Sequence, residues 1–113
     1  MDLSASTPRL RREQVAGMNI HYIMWSLDYF LDAQQRLGFK TIKLWAAEPH
    51  VTLDHTGYFE ADELRRKIES RGLSVSSLCP ENVVYPWQYA ARKPLHAQRS
   101  LAYFKHGIEL AEV

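Results

Sequence analysis

The chain has 113 residues, 46% of them hydrophobic and 12% aromatic, enough for one packed domain and too apolar for disorder. Its 14 basic and 13 acidic residues leave a formal net charge of +1, which excludes a general electrostatic field for nucleic acid or an anionic membrane. No apolar run nears the ~20 residues of a bilayer span, no secretory-type stretch opens the chain, and the single cysteine, Cys79, excludes an internal disulfide and favours a reducing cytoplasm.

Residues 1–17 are polar, carry Pro8 and the basic cluster Arg9, Arg11 and Arg12, and show no sustained apolar period. They read as a loosely ordered arm, with 18–113 as the folded domain. Met18 opens the first apolar run and is an alternative start position. Asn19–Trp25 is rich in β-branched and aromatic residues, so a strand covered on both faces is expected there. Ser26 is placed to cap a helix whose stripe is Leu27, Phe30, Leu31 and Leu37, with Gly38 at its stop. A second strand over Lys40–Trp45 follows, then a loop from Ala46 to Glu60, long enough to suggest function. The second helix is expected over Ala61–Arg71, with Leu64 and Ile68 inward and its acidic first turn and basic later turns matching the helix dipole. Leu73–Leu78 forms the third strand, a loop runs from Glu81 to Lys93, and Pro94 starts the third helix. Its apolar residues Ala97, Leu101, Phe104, Ile108 and Ala111 recur at helical spacing, with no closing Gly, Asn or Pro after them.

The order β-α-β-α-β-α predicts an α/β fold with parallel strands joined by right-handed crossovers. A doubly wound sheet would place a Gly-rich turn after the first strand if it bound nucleotides, and Trp25-Ser26-Leu27-Asp28 has none. A (β/α)8 barrel builds its site from loops at the C-terminal ends of its strands, where both long loops fall. The expectation is therefore a partial (β/α)8 TIM barrel: its first three βα units, out of eight.

The two loops concentrate unusual residues: Trp45-Ala-Ala-Glu48-Pro49-His50 with Asp54-His55, and Cys79-Pro80-Glu81-Asn82-Val-Val-Tyr85-Pro86-Trp87. Together with Leu37-Gly38-Phe39-x-Thr-Ile-Lys-Leu-Trp45, this resembles the sugar isomerase/epimerase superfamily with the xylose-isomerase-like barrel, within it fructoselysine 3-epimerase and related ketose 3-epimerases. The resemblance covers about Met18 to Val113. It implies proton transfer next to a carbonyl through an enediolate, assisted by a divalent metal (Mn, Mg, Co or Zn), on a small sugar substrate. It also implies that the metal ligands, Glu, Asp, His and Glu, and the two proton-transferring carboxylates sit on strands five to eight. No catalytic or metal-holding residue is then expected in this chain, which should be inactive alone. Lys43 departs from the pattern, since many members carry glutamate there.

The resemblance gives Glu81, after a strand and a proline, a place lining the substrate pocket; a solvated loop acid is the alternative. His50 reads as a partner for a sugar hydroxyl or as a loop histidine held by backbone. Trp25 and Trp87 read as apolar walls against a sugar face, and Trp45 as core. Cys79 borders the pocket as a small apolar residue, since no base or pKa-lowering neighbour marks it as a nucleophile. His50, Asp54 and His55 match no standard metal spacing. His21 reads as an interior histidine, His96 and His106 as solvated. Two other functions stay open: an endonuclease IV-like apurinic endonuclease, disfavoured by the even charge, and a non-catalytic product. A partial barrel also leaves an exposed edge and apolar strand residues such as Ile42 and Leu44 uncovered, so homo-oligomerisation through that edge is expected.

Overall fold

The computed structural model describes residues 8–82 and 86–113. Three parallel strands form one sheet in the order β1 (Ala16–Met18), β2 (Thr41–Ala46), β5 (Ser74–Pro80). A two-stranded antiparallel hairpin, β3 (Leu53–Asp54) and β4 (Gly57–Tyr58), lies within the long loop after β2. The helices are α1 (Leu27–Arg36), α2 (Ala61–Glu69) and α3 (Pro94–Glu112).

Side chains alternate along β2. Ile42, Leu44 and Ala46 belong to one core cluster with Leu27, Phe30 and Leu31 of α1, Ile68 of α2, and Tyr103 and Leu110 of α3. All three helices therefore cover the same face of the sheet. Lys43 and Ser77, partners in the β2–β5 register, face the other way and are exposed. A sheet whose strands are added in sequence order, each by a crossover of the same hand, places its helices on one side in this manner.

The strand β5 carries one residue more than its ladder uses. Ile42 pairs with Val75 but Lys43 pairs with Ser77, leaving Ser76 as a bulge whose Oγ donates to the Ile42 carbonyl at 3.1 Å. The apolar residues of this segment, Leu73, Val75 and Leu78, do not fit a strict period of two. The bulge absorbs the mismatch and keeps Val75 and Leu78 in register with Ile42 and Leu44.

The first strand lies earlier than the composition suggested. Asn19–Tyr22 is a 3-10 turn, not strand, and the Trp25 N–H closes onto the Tyr22 carbonyl at 2.8 Å. Aromatic packing outweighs β propensity here: the Tyr22 ring sits 5.1 Å from Phe30 and contacts Trp25 and Tyr29. His21 is exposed rather than interior. Within the span read as an arm, Arg12–Gln14 forms a 3-10 turn and β1 begins at Ala16. Arg12 donates to the Leu37 carbonyl at 2.9 Å, next to Gly38, whose φ of 81° ends α1 in the left-handed region.

The helix starts follow the sequence closely. Ser26 Oγ accepts from the Tyr29 N–H at 3.1 Å, as a cap should. Leu37, however, lies past the end of α1 and is exposed. On α3 the buried residues are Ser100, Tyr103, Gly107 and Leu110, so the apolar stripe read from the sequence points largely to solvent. A Cβ on Gly107 would lie 2.9 Å from Pro80 Cγ, so glycine is what lets α3 approach the sheet.

Helices α1 and α2 are joined by charge. Lys67 and Arg71 each lie 3.1 Å from Asp28, and Arg71 lies 2.6 Å from Asp32. The Lys67 hydrogen bond, assisted by the charges of Lys67 and Arg71, holds the Asp28 carboxyl below its ordinary range. This depression contributes stability above the unfolded carboxylate pKa and loses it as pH falls through the lower folded value. Asp28→Asn should therefore flatten the acid limb of a stability-versus-pH curve by lowering stability at neutral pH, by the modest amount of a half-exposed ion pair, while leaving stability at acid pH nearly unchanged. Urea unfolding measured from neutral to acid pH checks it.

Candidate functional site

The polar groups of the C-terminal sheet edge form one connected chain. It begins at Asn19, the first residue after β1 and fully buried. Asn19 Oδ1 accepts from the Trp45 N–H at 2.7 Å, and its Nδ2 donates to the Trp45 carbonyl at 3.0 Å. A side-chain amide thus does what the next residue of β1 would have done, binding both backbone groups of the facing strand. The strand stops, and the pairing continues for one more step.

The second hydrogen of Asn19 Nδ2 points to His50 Nδ1 at 3.0 Å, while His50 Nε2 lies 2.8 Å from the Trp25 carbonyl. A carbonyl only accepts, so Nε2 carries the proton and Nδ1 accepts. His50 is buried and holds the β1–α1 turn against the loop after β2. Both ring nitrogens are committed, so it has no lone pair left for a metal ion or a sugar hydroxyl. It acts as a positioning residue, held partly by backbone.

Trp45 carries the chain onward. Its indole N–H donates to Glu81 Oε2 at 2.8 Å, across the register pair Trp45–Cys79. Glu81 is buried, not a solvated loop acid. Its own N–H donates to the Tyr103 hydroxyl oxygen at 2.6 Å, and that hydroxyl donates to the Ala46 carbonyl at 3.2 Å. Tyr103 therefore closes the ends of β2 and β5 onto α3 from the helix side. Burial is the main force pushing its phenol up, to about 12.

The remaining sequence candidates divide. Trp87 is half-buried, stacked on Tyr103 at 4.6 Å and 12° and lying 5.4 Å from the His55 ring, so it forms a wall behind the rim. Trp25 is exposed and stacks on Tyr29, and its backbone carbonyl joins the network through His50. Cys79 is half-buried, its thiol 3.7 Å from the Pro80 carbonyl. Tyr85, within the second loop motif, lies outside the described residues. Asp54 turns inward on its own hairpin, accepting from the Thr56 N–H and hydroxyl, and the hydroxyl bond lowers its carboxyl below the usual range.

Among the described residues no group of three or more His, Cys, Asp or Glu is placed to hold a metal ion. His50, with both ring nitrogens engaged, offers no lone pair to a metal ion. Comparison with protein-family models, with curated proteins and with solved structures finds no match for this chain. No helix among the described residues is long and apolar enough to cross a membrane.

Asn19 and Tyr103 were invisible to sequence reasoning. Asn19 falls within the run expected to be a strand, where its one signal is an amide heading an apolar run. Tyr103 lies one position away from the more regular apolar stripe of α3.

Asn19→Ala should leave the Trp45 N–H and carbonyl and His50 Nδ1 buried without partners, at a cost of roughly 3 kcal/mol or more. Equilibrium urea unfolding measures it, with Asn19→Asp also destabilising because it lacks both amide donors. Tyr103 gives a pH signature of the opposite sign to Asp28. Its raised folded pKa contributes stability in full below pH 10, lost as pH climbs from 10 towards about 12. Tyr103→Phe should remove this alkaline dependence and also weaken the fold at neutral pH, since the Glu81 N–H and Ala46 carbonyl lose their partner.

Proposed function

We propose that this chain supplies three adjacent units of a (β/α)8 barrel of the sugar isomerase/epimerase type, ketose 3-epimerase-like, working in the cytoplasm. The observation that carries the reading is the placement of the Trp45–Glu81 pair. It stands at the C-terminal ends of neighbouring parallel strands, on the sheet edge where the long loops emerge, in a sheet with all its helices on one face. Barrel enzymes build their sites at that edge.

In this reading Glu81 presents an oriented carboxylate to sugar hydroxyls. Its rotamer is fixed by the indole N–H, and its backbone by Tyr103. Trp87 closes the apolar side of the pocket, Cys79 borders it, and His50 with Asn19 sets the height of Trp45. The enediolate chemistry, its divalent metal and its proton-transferring carboxylates belong to barrel units beyond these three. An apurinic endonuclease would want strand-end histidines with free lone pairs, and His50 has none.

The indole N–H of Trp45 is a direct probe. Titrating the chain with a ketose should shift that resonance in a nitrogen–proton correlation spectrum, and Glu81→Gln should weaken the response. A Trp45 indole signal indifferent to ketoses would sink the sugar reading. Epimerisation assayed with added manganese should stay at background. Turnover abolished by a chelator would mean that this chain holds its own metal.

A further inference from the structure

A cavity of about 280 Å³ lies between the start of α1, the loop after β2 and the start of α2. Two aromatic rings line it and keep half their surface in solvent, Trp25 at 52% and Phe59 at 50% exposure. Both are held in place. The Trp25 ring stacks on Tyr29 and meets Tyr22 edge-on, and the Phe59 N–H donates to the Thr52 carbonyl at 3.1 Å. Exposed aromatic surface fixed in this way costs little to order around a ligand.

The charged residues around the cavity are three carboxylates, Asp28, Glu60 and Glu63, and one ammonium, Lys67. Lys67 lies 3.1 Å from Asp28 and 3.6 Å from Glu63, and Arg71 also reaches Asp28. Negative charge is therefore left over on the side of Glu60 and Glu63. Glu60 enters α2 from the left-handed region, with a φ of 58°, where glycine or asparagine sits at less cost. Its side chain makes no cap bond to the helix. Neither backbone geometry nor capping accounts for a glutamate at this position.

The neutral polar groups of the lining are already engaged. Ser26 Oγ caps α1, and both ring nitrogens of His50 are hydrogen-bonded. Among the described residues these carboxylates do not converge into a metal-holding group. What the cavity offers is aromatic surface beside negative charge. That combination suits an organic cation whose charge is spread over methyl groups, since such a cation needs no hydrogen-bond acceptor and is attracted to ring faces.

We infer that this cavity binds a small quaternary ammonium compound, its methyl groups against Trp25 and Phe59 and its charge facing Glu60 and Glu63. The site uses neither Glu81 nor the Trp45 indole, so it is independent of the sugar reading.

Choline and its uncharged carbon isostere, dimethylbutanol, are the probes. In a nitrogen–proton correlation spectrum choline should shift the Trp25 indole and the Phe59 amide along one saturable curve. It should bind roughly tenfold or more tighter than the alcohol, and less tightly as salt rises. Glu60→Gly removes the carboxylate and places at the left-handed position a residue at ease there, so choline affinity should fall several-fold with no loss of thermal stability. Glu60→Gln, which keeps the length of the side chain, should weaken binding alike. Ketose titration reads the Trp45 indole instead, so the two ideas fail separately. Equal affinity for choline and the alcohol, a response that never saturates, or full choline affinity in both Glu60 variants would each overturn the inference.

Discussion

The arrangement of the site depends on the two hydrogen bonds between the Asn19 amide and the Trp45 peptide. They are buried, so neither group has water as a substitute partner. They fix where β1 ends and the aromatic turn begins. They hold the Trp45 backbone, which aims the indole at Glu81, and they offer His50 the donor that settles its tautomer. One side chain thus ties the first strand, the second strand and the long loop into a single unit.

Much of the architecture was legible in the residues. Ser26 and Pro94 mark helix starts, and Gly38 and Gly72 follow helix ends, because capping and left-handed backbone are local demands that few residue types meet. The second and third strands fell within about two residues of their positions, and the parallel order followed from alternation. Two errors share one cause. Asn19–Trp25 and the face of α3 were both read from apolar pattern, and in each case the apolar residues are in excess of what the internal core takes up. Tertiary contacts chose Tyr103, Gly107 and Leu110 for the inside of α3, and the more regular stripe was left outside. The site was half legible: Glu81 and His50 stood out by type and place, whereas the partners that give them meaning are 22 and 31 residues distant.

The structure also separates what holds the fold from what shapes the rim. On the helix face, apolar burial and the Asp28–Lys67–Arg71–Asp32 cluster keep α1 and α2 together. At the strand ends, cohesion passes instead through amide, indole, carboxylate and phenol in series. Such a polar network is stable only when every member is satisfied, and it fixes geometry in return. Lys43 and Ser77 lie below it on the exposed face, so the polar rim is set directly over an open floor.

The bulge at Ser76 has a bearing on how the chain tolerates changes of length. Since Ile42 meets Val75 and Lys43 meets Ser77, excision of Ser76 would convert β5 into an uninterrupted ladder without rotating any other side chain. Glu81 would keep its seat beneath the Trp45 indole. Loss of either serine of the Ser76–Ser77 pair yields the same shortened chain, and its local cost is the Oγ bond to the Ile42 carbonyl.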